Sequence, residues 1–159
     1  MYEIDASSIV HAWENYPITQ FPKLWDWFAD EFESNKLSIS KVAFDEVAHK
    51  FPELSTWLNN LSIEPVKTNV EIIKIALTIS QQLGIDDDYS KKGVDENDLF
   101  IIANAKRSNR ALISNEAVQS KPPENLKNCK IPAVCALPFV SIECLNILEY
   151  IKKSGKTFS

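Results

Sequence analysis

Short apolar segments alternate with longer amphipathic ones along the whole chain, and that alternation restricts the fold more than any other feature. "YEID" (2–5), "LSIS" (37–40), "IEPVK" (63–67), "ALIS" (111–114) and "KIPAVC" (130–135) each read as a short strand. The segments between them have helical spacing. Phe21, Leu24, Trp25, Phe28 and Phe32 recur every three or four residues, with Pro22 placed as an early helical residue. Ser7 or Ser8 is positioned to cap the helix through "IVHAWEN", and Ser40 to cap "KVAFDEVAHK". "FPELSTWLNNL" reads as another helix, and Gly84 ends a long one over "NVEIIKIALTISQQLG". "VSIECLNILEYIKKSG" reads as one final helix. Strands joined through helices run parallel, and parallel sheets are covered on both faces. The expectation is an α/β fold in one domain over residues 1–159, with a four- to five-stranded parallel sheet flanked by helices on both faces.

Composition removes several functions. Only 3 glycines are present, and no glycine-rich phosphate loop can be drawn. His11 and His49 are the only histidines, and Cys129, Cys135 and Cys144 lack C-x-x-C spacing, which argues against zinc and against a histidine relay. Apolar runs fall far short of a membrane span, and "MYEIDASS" lacks a secretory pattern, so a cytoplasmic protein with reduced thiols is expected. The net charge of −5 is uneven, residues 1–90 being acidic on balance and residues 91–159 basic. The basic portion can supply phosphate contacts or be ordinary solvated surface.

In parallel α/β sheets, ligands bind outside the carboxyl ends of the strands. Four acids fall near those ends. Asp5 follows the first strand, Glu46 lies on the helix after the second, Asp98 opens the helix leading into "ALIS", and Glu116 follows that strand. Clustered carboxylates raise each other's pKa, and a hard divalent cation with oxygen ligands offsets that cost. Each acid also has a plainer reading. Asp95 is a natural N-cap, Asp98 a third-position partner in a capping box, and Glu46 a solvated helix residue. Asp86, Asp87 and Asp88 read as a solvated turn. Trp27 points away from the aromatic stripe of its helix and, if exposed, would suit a protein interface.

"YEIDASSIV", "ISKVAFDEVAH" and "DLFIIANAKRSNRALISNE" together resemble the PIN domain, particularly the VapC-like ribonuclease toxins of toxin–antitoxin modules. The third matches the pattern D-x-x-I-x-A-x-A followed by an apolar strand and T-x-D. The tail "KIPAVCALPFVSIECLNILEYIKKSGKTF" resembles a less-studied PIN-like branch. The resemblance implies that Asp5, Glu46, Asp98 and Glu116 are catalytic acids binding Mg²⁺ or Mn²⁺. Ser7 would support Asp5 or touch substrate, Asn115 would offer a polar contact, and Asp95 would be an outer acid. Ser114 and Glu116 stand where the pattern has Thr and Asp. The implied reaction is metal-dependent hydrolysis of RNA phosphodiesters by a type II toxin, with a cognate antitoxin and a homodimer as expected partners. Lys91, Lys92, Lys106, Arg107 and Arg110 are candidates for the RNA backbone; the last three equally suit a helix C-terminus. The competing expectations are a PIN-fold nuclease in RNA maturation or on DNA, and a non-catalytic binding module.

Overall fold

The computed structural model describes residues 1–159. In chain order the elements are β1 (Tyr2–Ile4), α1 (Ala6–Asn15), α2 (Pro22–Glu33), β2 (Leu37–Ile39), α3 (Lys41–Lys50) and α4 (Pro52–Asn59). They continue with α5 (Val70–Gln82), α6 (Glu96–Arg107), β3 (Ala111–Ile113), α7 (Ile131–Ala136), β4 (Cys144–Leu145) and α8 (Ile147–Ser154). A 3-10 turn at Leu126–Asn128 precedes α7. The four strands form one parallel sheet in the order β2-β1-β3-β4. β1 pairs with β2 and β3 in the registers Ile4↔Ile39 and Ile4↔Ile113, so three strands end level with one another. The expected α/β architecture with a parallel sheet is present.

Helices cover both faces because successive strand side chains point to opposite sides. Tyr2 of β1 packs its ring on Tyr150 of α8, with centroids 4.8 Å apart. Glu3, the next residue, faces Asn104 of α6 on the other side. α6 lies along β1 and β3 and packs against α5 and α3. The aromatic stripe of α2 is buried as its spacing predicts. Trp25 and Phe28 are almost fully enclosed, and Trp25 meets Trp13 and Trp57 edge to face. Full burial of side chains this large contributes about 2–3 kcal/mol each.

Several expectations change. "IEPVK" forms no fifth strand. It makes one bridge, Ser40↔Val66, because Pro65 has no N–H to extend a ladder. "KIPAVC" is the helix α7 rather than a strand: Pro132 sits in its first turn, where the missing N–H costs nothing. The last strand instead falls inside "VSIECLNILEYIKKSG". β4 ends at Leu145, and Asn146 starts α8 with a capping box to Glu149. α1 begins at Ala6 with Asp5 in the N-cap position, so Ser7 and Ser8 lie within the helix and cap nothing. Trp27 is only 7% exposed and stacks on Tyr150, which removes it as an exposed interface residue. No helix is long and apolar enough to cross a membrane.

Candidate active site

Because β1 stops at Ile4, Asp5 emerges at the carboxyl edge of the central strand, and its N–H donates to the Ile113 carbonyl at 2.9 Å. Its carboxylate is 4% exposed and accepts two hydroxyls on Oδ2: Ser7 Oγ at 2.5 Å and Ser114 Oγ at 3.1 Å. Ser7 Oγ in turn accepts the Asn115 N–H at 3.0 Å. Asn115 Oδ1 accepts both Ser8 Oγ and the Ile147 N–H, each at 2.9 Å, which ties the end of β3 to α1 and α8. The residues following β3 thus build the wall that orients the acid following β1.

Asp98 resolves the choice between cap and site residue by being both. Asp95 Oδ1 accepts the Asp98 N–H at 2.9 Å, and Asp98 Oδ2 accepts the Asp95 N–H at 2.9 Å, completing a capping box. The same Asp98 carboxylate lines a cavity of about 180 Å³ with Asp5, Ser7, Glu46 and Glu116. Glu46 reaches it from α3, half-buried, two turns in from the Ser40 cap that starts the helix. Glu116 enters from the loop after β3, with Oε2 accepting the Ile131 N–H of α7 at 3.0 Å. Four acids distant in sequence therefore share one cavity.

Their electrostatics follow from crowding and burial. Burial, first, and then the charges of Asp95, Glu116 and Asp5 push the Asp98 carboxyl up to about 8, against the Asp95 N–H that favours its anion. Glu46 is raised by burial and by the Asp5 charge, partly offset by Lys50. Burial also raises Asp5; the Ser7 hydrogen bond opposes that rise and the Glu116 charge adds to it. No three acid, histidine or cysteine side chains converge to hold one ion among themselves. The donor set is all oxygen, and it suits a hard cation that keeps most of its waters and takes one or two carboxylates directly.

The sequence-derived candidates divide by location. Asp5, Glu46, Asp98, Glu116 and Ser7 line the cavity, Ser114 and Asn115 brace it, and Asp95 sits in the adjoining cap. Lys91 and Lys92 are exposed on the loop before α6. Lys106, Arg107 and Arg110 lie at the other end of α6, whose 12 residues span roughly 17 Å. There Lys106 Nζ donates to the Val140 carbonyl at 2.9 Å, Arg107 pairs with Glu71, and Arg110 donates to the carbonyls of Tyr2 and Asn35 at 3.3 Å. These three cations serve the amino edge of the sheet, away from the acids. The cation that does line the cavity is Lys50, beside the apolar wall of Val10, Val47 and Phe51. Lys50 stands four residues after Glu46, one helical turn along the same face, and that spacing was its only signal in the sequence.

Comparison with known proteins adds three findings. The model of the family described as "Domain of unknown function (DUF4411)" matches residues 2–158. No curated protein matches the chain in sequence. Among solved structures, the chain is similar to one in the crystal structure of VapBC2 from Rickettsia felis bound to a DNA fragment from their promoter. The TM-score is 0.55 at 17% identity, covering 91% of this chain and 97% of that one. At that identity the likeness shows a shared fold, the PIN-like arrangement expected from the sequence.

Proposed function

The chain belongs to the DUF4411 family, and from that premise we propose that it is a metal-dependent nuclease hydrolysing RNA phosphodiester bonds, acting as the toxin of a toxin–antitoxin pair. The observation that carries the reading is the single cavity that Asp5, Glu46, Asp98 and Glu116 line from four separate segments, with the Asp98 carboxyl raised far above its ordinary value. A carboxyl buried and crowded to that extent is retained where a cation or substrate relieves it. The PIN-like fold shared with a chain of VapBC2 supports the same reading and suggests an antitoxin as partner.

Asp5 and Asp98 would hold Mg²⁺ or Mn²⁺, with Glu46 and Glu116 fixing its water shell. The bound ion would supply an activated water and charge stabilisation at the phosphorus. The chain's own residues supply position. Ser7 and Ser114 fix the rotamer of Asp5 through Oδ2, and the Ile131 N–H fixes Glu116 through Oε2. Lys50, which makes no ion pair within the protein, would hold a non-bridging phosphate oxygen at the mouth of the cavity. Asp98, whose carboxyl is pushed up to about 8 by burial and its acidic neighbours, would give up its proton on holding a cation.

The deciding experiment incubates purified protein with single-stranded RNA and, separately, DNA under a titration of Mn²⁺ or Mg²⁺. Cleavage of RNA that stops with chelator and is lost in Asp5→Ala supports the reading. Cleavage unchanged by chelator removes the metal mechanism, preference for DNA moves the substrate class, and binding without cleavage leaves the non-catalytic module. Co-purification with a small DNA-binding protein encoded beside this chain tests the toxin role.

A further inference from the structure

Seven polar side chains lie buried in the protein, and five of them have an evident role. Asp5, Ser8 and Ser114 belong to the wall at the carboxyl edge, Ser40 caps α3, and Ser80 Oγ donates to the Leu77 carbonyl at 2.8 Å. The two that remain are Glu3, fully enclosed at the middle of β1, and Asn104 of α6, 1% exposed. Ser38, the register partner of Glu3 on β2, donates its Oγ to Glu3 Oε2 at 2.5 Å. The Asn104 amide faces the same carboxyl from α6. Glu3 Oε1 and the Asn104 Oδ1 and Nδ2 bond to nothing else in the protein, so each group has only the other to answer it. The rest of the buried surface of α6 is aliphatic: Leu99, Ile101, Ile102, Ala103 and Ala105.

Such a pair is a poor source of stability. A carboxyl and an amide enclosed among aliphatic side chains give up their hydration, and an apolar pair of similar volume holds a fold at least as well. What the pair supplies is register. An aliphatic helix surface can ride at several heights along a sheet, whereas this carboxyl and this amide meet at one. α6 runs antiparallel to β1, with Asp98 and Asp5 together at the carboxyl edge. Asn104 lies six residues along α6 from Asp98, roughly 9 Å of helix. Glu3 lies two residues back along β1 from Asp5, roughly 7 Å of strand. Pairing Glu3 with Asn104 therefore brings Asp5 and Asp98 level to within about 2 Å. A cation site tolerates little error in where its ligands stand. We propose that Glu3 and Asn104 are positioning residues, whose buried pairing fixes where α6 rides on β1 and so holds Asp98 at the height of Asp5 for the cation. The proposal rests on the reading that the cavity binds a divalent cation.

Mn²⁺ binding to the full chain, read from the electron paramagnetic resonance of the free ion, tests it without any measurement of activity. Each titration is run well below that variant's melting temperature, so a lower melt does not by itself weaken binding. Glu3→Leu combined with Asn104→Leu replaces the polar pair by an apolar one. That double variant should melt as high as wild type or higher, yet bind Mn²⁺ about 10-fold more weakly, as loss of a group behind a metal ligand does. Glu3→Gln removes the charge but keeps an amide to meet Asn104, and its affinity should stay close to that of wild type. A Glu3→Gln variant as weak as the double variant makes the effect one of charge and overturns the proposal. So does a double variant that binds as tightly as wild type. A wild type that binds Mn²⁺ no better than Asp5→Ala overturns the cation reading itself, and the proposal falls with it, a result separable from the other two.

Discussion

The two edges of the sheet treat charge in opposite ways. At the amino edge Lys106, Arg107 and Arg110 find partners within the protein: the carbonyls of Val140, Tyr2 and Asn35 and the carboxylate of Glu71. At the carboxyl edge Asp5, Glu46 and Asp98 have no cation paired to them within the protein, and all three carboxyls are raised. A charge answered internally is finished work, whereas a charge left unanswered in a cavity reserves binding energy for something that arrives later. The contrast locates the proposed chemistry at one edge and assigns the other to holding the structure together.

The largest effect that would sharpen this contrast is on cleavage. Asp98→Asn should lower RNA hydrolysis about 1,000-fold, in the range of losing a group that stabilises transition-state charge, whereas Arg110→Ala should leave kcat nearly unchanged. Equal losses from both in a cleavage assay would erase the distinction between the edges. Asn at position 98 can still accept the Asp95 N–H, so the helix start survives the change.

The second effect is on stability in chelator. Unfolded Asp98 gives up its proton near the ordinary carboxyl value of 3.8, whereas the folded protein keeps it until about 8. Between those values the folded state binds more protons, so the metal-free protein should lose stability as pH rises from about 4 to about 8. Melting temperature measured across that window should fall. Asp98→Asn should flatten the slope and melt higher than wild type at neutral pH. A flat profile in the wild type would mean that burial and the neighbouring acids do not hold the proton on Asp98.

A third, smaller effect falls on substrate grip. Lys50→Ala should raise KM about 10-fold with kcat largely retained and reduce the salt slope of RNA binding by about one, while Lys50→Arg should restore both. A loss confined to kcat would place Lys50 in the chemistry instead of on the phosphate. The smallest effect is at the far edge, where Arg110→Ala should cost about 1 kcal/mol of stability by denaturant titration, from lost bonds to the Tyr2 and Asn35 carbonyls. No measurable cost there would mean that those contacts are as idle as most surface ion pairs.

The alternation of short apolar and amphipathic segments made the parallel sheet legible, and the rule that ligands bind at strand carboxyl ends picked out the acids that share the cavity. Sequence and structure part where the apolar period is ambiguous. "KIPAVC" is as apolar as a strand, and only Pro132 at an early position marks the helix start. β4 is two residues long, too short for any periodicity, and Asn146 with Glu149 was the available sign that a helix starts after it. Trp27 lies off its own helix's stripe but is covered by Tyr150 and Phe158 from far along the chain, contacts that local spacing cannot report. Lys106, Arg107 and Arg110 follow Asp98 closely in sequence, yet a straight helix carries them to the other edge.

Asn115 has a mechanical consequence. A single amide oxygen receives the Ser8 hydroxyl of α1 and the first N–H of α8, while the backbone of the same residue holds Ser7, which holds Asp5. The C-terminal helix is thereby coupled to the acidic cavity through one rivet. A pull or tilt applied to α8 reaches Asp5 through three hydrogen bonds, without any rearrangement of the sheet.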